Sequence, residues 1–129
     1  MQVRRGNKKI KNATPIIVEG IKFRSKLEAY TYQQFLLANI HVEYESQTFT
    51  LLPSFIYQGV KIRPITYKPD FVGNGFICEV KGFANDAFPL KKKMFLKHLR
   101  DNGFNITYFV VRNHKEIAEM IKRIKDGLQ

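Results

Sequence analysis

The feature that most constrains the fold is the segment YKPDFVGNGFICEVKGF, residues 67–83, in which two short apolar segments flank Gly73-Asn74-Gly75. Glycine and asparagine accept the backbone conformations of a tight turn, so this pattern predicts a β-hairpin with strands over residues 67–72 and 76–80. The second segment is apolar apart from Glu79, which is typical of a strand at the centre of a sheet. A buried glutamate needs a partner for its charge.

The segments around this hairpin predict an α/β architecture. Residues 25–38 lack Gly and Pro and are rich in helix formers, residues 89–103 form a basic amphipathic pattern that includes Leu90 and Leu96, and residues 113–125 repeat apolar positions at helical spacing. Strand patterns cover residues 16–23, 42–52, 56–72 and 105–111. Strands followed by a crossover helix and another strand imply a mixed central sheet flanked by helices.

Charge points to a polyanionic partner. The chain has 22 Lys and Arg against 11 Asp and Glu, a net charge of +11 at pH 7, which favours nucleic acid. The sequence contains no run of 18 apolar residues, and its amphipathic helices carry acids as well as lysines, so we expect no membrane partner. The basic N-terminal segment is not followed by the apolar core of a secretory signal, so we expect a cytoplasmic protein. The single Cys78 has no Cys/His cluster around it, so we expect no structural zinc.

The first residues differ in composition from the rest. Residues 1–15 are basic and contain no acid, which predicts a flexible arm that contacts phosphates, with a simply solvated tail as the alternative. The basic residues expected to bind DNA there are Arg4, Arg5, Lys8 and Lys9. Residues 16–129 are long enough for one domain with its own core.

The alternation of side chains along a strand suggests a chemical role for Asp70 and Glu79. Ile77, Glu79 and Lys81 share one strand face, and a turn at residues 73–75 allows Asp70 to approach Glu79. Two carboxylates and the Val80 carbonyl would form an incomplete Mg²⁺ site, beside which Lys81 could orient or deprotonate an attacking water. The alternative is a solvent-facing Glu79–Lys81 pair with Asp70 as a turn cap.

These residues resemble a known family. Pro69-Asp70 followed by Glu79-Val80-Lys81 is similar to the motif of the PD-(D/E)xK nuclease superfamily, and FRSKLE, YKPDF and EVKG resemble segments of the phage endonuclease I group of Holliday junction resolvases. KIRPITYKPDF and FPLKKKMF are similar to small uncharacterised phage-encoded proteins of that superfamily. The resemblance, over about residues 16–100, implies a restriction-endonuclease-like αβββαβ core and a homodimeric endonuclease that cuts branched DNA with Mg²⁺, or with Mn²⁺ in its place.

The resemblance also assigns roles to residues. It makes Asp70, Glu79 and Glu28 metal ligands and Lys81 the residue that positions the water. Glu28 has an alternative role, because Ser25-Lys26-Leu27-Glu28 is also a helix capping box. Lys91, Lys92 and Lys93 are expected either to bind phosphates or to form a solvated helix face. The alternatives for function are a transposon-end or restriction-like nickase and a basic nucleic-acid-binding module without catalysis.

Overall fold

The structure is a computed structural model that describes residues 16–82 and 87–128. The predicted N-terminal arm, with Arg4, Arg5, Lys8 and Lys9, lies outside the described residues. The described strands are β1 Ile16–Val18, β2 Ile21–Phe23, β3 Val42–Tyr44, β4 Phe49–Leu52, β5 Phe55–Tyr57, β6 Val60–Ile62, β7 Ile65–Tyr67, β8 Phe71–Gly73, β9 Phe76–Val80 and β10 Thr107–Val111. The described helices are α1 Lys26–Leu37, α2 Phe88–Asp101 and α3 His114–Lys125.

A four-stranded mixed sheet forms the centre of the molecule. Its strand order is β10-β9-β8-β3, with β9 and β10 parallel and the other neighbours antiparallel. Helix α2 makes the crossover between the two parallel strands, as parallel pairing requires. The predicted α/β class, with a mixed sheet and helices, is confirmed.

The two faces of β9 pack against different helices. Phe76, Cys78 and Val80 belong to an aromatic-rich core that includes residues of α1 and α3. Ile77 belongs to a second core with Phe95 of α2. The predicted alternation of side chains along this strand is therefore confirmed.

The chain between β3 and β8 leaves the sheet as a two-stranded ribbon. Strand β4 pairs with β7, and the hairpin of β5 and β6 extends beyond them. Phe49 of β4 packs edge-on against Phe95, with ring centroids 5.0 Å apart, which anchors the base of the ribbon to α2. The prediction of one continuous strand over residues 67–72 is wrong, because Tyr67 ends β7 and Pro69, which has no N–H to donate, separates it from β8.

The three helices begin and end close to the predicted residues, but not every apolar residue in the predicted pattern of α2 is buried. Ser25 accepts a hydrogen bond from the Glu28 amide at the start of α1, and Asn113 accepts one from the Glu116 amide at the start of α3. Helix α2 buries Phe95 completely, whereas Leu90 and Leu96 are 61% and 43% exposed. The sheet covers the side of α2 that carries Phe95, so Leu90 and Leu96 do not reach the core. None of the helices described here is long and apolar enough to cross a membrane.

The turn between β8 and β9 gives a stability prediction. A Cβ atom added to Gly73 would overlap the Phe76 ring, whereas one added to Gly82 would meet no atom within 4 Å. We therefore expect Gly73→Ala to lower the free energy of unfolding by about 1–3 kcal/mol, measured by urea denaturation, and Gly82→Ala to have little effect. In a Phe76→Leu background the cost of Gly73→Ala should shrink; an equal cost in both backgrounds would contradict this steric explanation.

Candidate active site

Asp70 is held at the end of the central hairpin by two hydrogen bonds. The register pairs Phe71 with Cys78, which places Asp70 next to Glu79 and Val80. The Val80 amide donates a 2.7 Å hydrogen bond to Asp70 Oδ2. The Glu45 amide donates a 2.8 Å hydrogen bond to the Asp70 carbonyl. Asp70 therefore approaches the end of β9 as predicted. The residue is buried, with 7% of its surface exposed.

Glu79 lies in the middle of the sheet, between β8 and β10, and is 9% exposed. Tyr67 donates a 2.6 Å hydrogen bond to Glu79 Oε1, and the hydroxyls of Tyr67 and Tyr108 are also 2.6 Å apart. A tyrosine hydroxyl has one proton to donate. Because Tyr67 donates its proton to Glu79, Tyr108 is the donor in the hydrogen bond between the two tyrosines. The Glu79 carboxylate is therefore oriented by a chain of two tyrosines.

A small open pocket lies beside Glu79 and Lys81. Its volume is about 210 Å³, and its lining includes Tyr67, Lys68, Glu79, Lys81 and Lys91. The prediction that Glu79 and Lys81 face the same side is confirmed. The Lys81 amide donates to the Val111 carbonyl, and its ammonium lies 4.7 Å from the centroid of the Phe88 ring.

The three predicted lysines of α2 separate in the structure. Lys91 lines the pocket and is half-buried. Lys92 and Lys93 do not line it, and Lys93 is exposed. Contact of these two with phosphate stays a prediction.

Burial dominates the electrostatics of the two carboxylates. Loss of hydration, and then the neighbouring Glu79 charge, raise the pKa of Asp70 well above its ordinary 3.8. Loss of hydration also raises the pKa of Glu79, against the opposing effects of the Tyr67 hydrogen bond and the Lys81 charge. Burial raises the pKa of Tyr67 as well, so this hydroxyl keeps the proton that it donates.

The donor set fits a hard divalent cation only in part. Within residues 16–82 and 87–128, no Lys, Arg or His forms an ion pair with Asp70 or Glu79. Two adjacent buried carboxylates without a counterion are the oxygen ligands that Mg²⁺ prefers, with water and phosphate completing its coordination. No group of three His, Cys, Asp or Glu side chains that could hold a metal occurs in the described residues. The role of Asp70, Glu79 and the Val80 carbonyl as metal ligands stays a prediction.

Glu28 takes part in the capping of α1. Its carboxylate accepts a 3.0 Å hydrogen bond from the Arg24 amide and a 2.7 Å hydrogen bond from the Tyr44 hydroxyl. The Ser25 half of the predicted capping box is present, whereas the Glu28 carboxylate accepts from the Arg24 amide. Its charge also contributes to raising the pKa of Asp70 and of Glu79. A role for Glu28 as a further metal ligand stays a prediction.

Sequence reasoning missed three residues of the site. Tyr67 and Tyr108 orient Glu79, and Lys68 adds a third ammonium to the pocket. Lys68 stands two residues before Asp70 and could have been found from that position. The tyrosines could not, because they come from β7 and β10, whose approach to Glu79 depends on packing against α2.

A larger cavity of about 620 Å³ lies at the opposite end of the sheet. Its lining includes Gly73, Asn74 and Leu128. Glu79 and Lys81 line the smaller pocket and not this cavity, and Asp70 lines neither.

Comparison with known proteins identifies the family. Residues 8–117 match the model of a family described as protein of unknown function (DUF1064), and the protein belongs to that family. Asp70, Glu79 and Lys81 all lie within the matched residues. No curated protein and no solved structure matches the chain.

The raised pKa of Asp70 predicts how stability depends on pH. A carboxyl group whose pKa is higher in the folded state than in the unfolded state destabilises the fold as pH rises through the folded-state value. We therefore expect Asp70→Asn to raise the free energy of unfolding by about 1–3 kcal/mol near pH 8 without divalent ions, because the amide can still accept from Val80. The gain should shrink toward about pH 5, where Asp70 is already protonated.

Urea denaturation of both proteins at several pH values measures this difference. The exposed Glu119→Gln is the control for loss of one negative charge. A gain from Asp70→Asn that is the same at low and high pH would show that ionisation of Asp70 is not its source.

Proposed function

We propose that this protein is a metal-dependent endodeoxyribonuclease that hydrolyses phosphodiester bonds, with branched DNA as its substrate. The observation that carries the proposal is the pair of neighbouring buried carboxylates, Asp70 and Glu79, of which Glu79 lines a pocket together with Lys81. A protein that only binds DNA gains nothing from two acids near phosphate, because each repels it. The net charge of +11 supports a polyanionic substrate.

The order of elements supports the same proposal. Along the chain, α1, β3, β8, β9, α2 and β10 occur in this order, and the four strands form the central sheet. This is the helix, three strands, helix, strand order that the resemblance to PD-(D/E)xK nucleases implies. The two carboxylates stand at the start of β8 and near the end of β9, as the PD and ExK motifs require.

We propose a part in the reaction for each polar residue that lines the pocket. Lys68 and Lys91 would attract the phosphate, and Tyr67 would hold the Glu79 carboxylate in one orientation. Lys81 would orient the attacking water or neutralise charge that develops on phosphorus. A bond then forms between the water oxygen and phosphorus, and the bond to the leaving sugar oxygen breaks. The water gives up one proton, and the leaving oxygen takes up one proton in its place.

A divalent ion held by Asp70, Glu79 and the Val80 carbonyl would supply Lewis acidity and a more acidic bound water. Such an ion would also relieve the repulsion between the two carboxylates. We propose Mg²⁺ as this ion, with Mn²⁺ able to replace it, because both favour oxygen ligands.

Cleavage of a labelled four-way DNA junction and of its matched linear duplex tests the proposal. With Mg²⁺, we expect metal-dependent cuts near the branch, reduced by about 100-fold or more in Asp70→Asn and in Glu79→Gln because a metal ligand is lost. Both variants should bind DNA at least as tightly as the natural protein, since a negative charge near phosphate is removed. Glu119→Gln should cleave normally.

Each result separates the alternatives. Equal cutting of both DNA forms would keep the nuclease and favour a nickase such as those that act at transposon ends or in restriction. Tight binding without cleavage by the natural protein would favour the binding module. Retained cleavage in both Asp70→Asn and Glu79→Gln would exclude this pocket as the active site.

The hydroxyl of Tyr67 gives a separate prediction. Tyr67→Phe removes the 2.6 Å hydrogen bond to Glu79 while the ring can keep its contact with Phe95. We expect cleavage to fall by about 10–100-fold, with a steeper requirement for Mg²⁺ concentration because Glu79 is no longer oriented. Tyr30→Phe, at a tyrosine of α1 that does not line the pocket, is the matched control. An unchanged Mg²⁺ dependence would show that Tyr67 does not act through Glu79.

A further inference from the structure

The hairpin of β5 and β6 with its following Arg63, residues 55–63, forms an exposed arm. Phe55, Ile56, Tyr57 and Val60 are 46%, 72%, 62% and 60% exposed. No residue of the arm belongs to either hydrophobic core. A two-stranded hairpin is only marginally stable by itself in water, so an apolar one that projects from the body is suited to a binding partner.

The positive charge of the arm indicates which kind of partner it binds. No Asp or Glu occurs from Ser46 to Pro69, while Lys61 and Arg63 on the arm are exposed. Exposed aromatic and aliphatic side chains beside cations match the faces of bases beside phosphates. A second copy of this chain would present the same cations and the same net charge of +11, which opposes pairing of two arms.

Strand β7, which follows the arm in the chain, leads to the candidate active site. Tyr67 ends β7, lines the pocket and donates to Glu79. Tyr67 stands seven positions after Val60 at the tip, a span of roughly 20–25 Å for extended chain. This span is shorter than one turn of duplex DNA, about 34 Å, so the tip and the pocket can contact one DNA molecule.

We propose that the arm binds DNA where base pairs are opened, with Ile56 and Tyr57 against base faces and Lys61 and Arg63 on the flanking phosphates. Base faces are covered by stacking in an intact duplex and become available at a branch. Apolar side chains inserted at such a step are a known way for proteins to bind distorted DNA. The arm would thereby select branched substrates for the nuclease, an inference that rests on the proposed function.

Binding measurements in the Asp70→Asn background test the arm without cleavage. The probes are a labelled four-way junction with 2-aminopurine beside the branch and a linear duplex of the same sequence, at one salt concentration. We expect Ile56→Ala with Tyr57→Ala to weaken junction binding by about 10-fold, to leave duplex binding nearly unchanged, and to abolish the change in 2-aminopurine fluorescence. Lys61→Ala with Arg63→Ala should weaken binding of both DNA forms.

Two control variants match these changes elsewhere on the surface. Ile17→Ala with Leu37→Ala removes apolar side chains that are 67% and 81% exposed. Lys115→Ala with Lys125→Ala removes two exposed cations from α3, which packs on the sheet face opposite to α2. The apolar control should keep the junction preference, and the α3 control should weaken binding less than Lys61→Ala with Arg63→Ala.

The outcomes separate the arm from the nuclease. An unchanged junction preference in the Ile56→Ala, Tyr57→Ala variant, or no preference in the parent protein, would overturn the role of the arm while cleavage can still stand. A shift in oligomeric state by light scattering with unchanged DNA binding would overturn it in favour of a second copy. Loss of junction preference in a protein that never cleaves DNA would support the arm and reject the proposed function.

Discussion

The Val80 amide donates a hydrogen bond to Asp70, and this contact connects the strand register to the arrangement of the candidate site. The bond forms because the Asn74-Gly75 turn pairs Gly73 with Phe76, which in turn places Phe71 opposite Cys78. A shift of one residue would move Glu79 to the other sheet face. The aromatic core on one side and the α2 core on the other therefore stabilise the same register that brings the two carboxylates together.

Asp70 and Glu79 are buried and form no ion pair within residues 16–82 and 87–128, which makes the folded protein less stable than a neutral pair would. The structure offsets only part of this cost, through the Val80 amide, the Tyr67 hydroxyl and the nearby Lys81 charge. Such a destabilising arrangement is common where a site must bind a ligand that the fold itself does not contain. A cation and a phosphate together would supply the missing charges of both signs, since the pocket also presents three lysines.

The ribbon from β4 to β7 extends from the candidate site to an exposed surface of the protein. Its base packs on α2 through Phe49, and its last residue, Tyr67, orients Glu79. Its far end carries exposed apolar and basic side chains instead of a core. One insertion between two strands of the central sheet thus contributes both to the candidate site and to the surface proposed to bind DNA.

Much of the fold could be predicted from local sequence. The capped helices, the β8–β9 turn and the alternation along β9 follow from spacing and residue type, which act over a few neighbours. The sequence also predicted that Asp70 approaches the end of β9 and that Glu79 and Lys81 share one face, and the structure has both arrangements. The sequence could not identify Tyr67 or Tyr108 as partners of Glu79, the exposure of Leu90 and Leu96, or the projection of the β5–β6 hairpin. These features depend on which surfaces pack together, and only the tertiary structure decides that because the contacts join residues far apart in the chain.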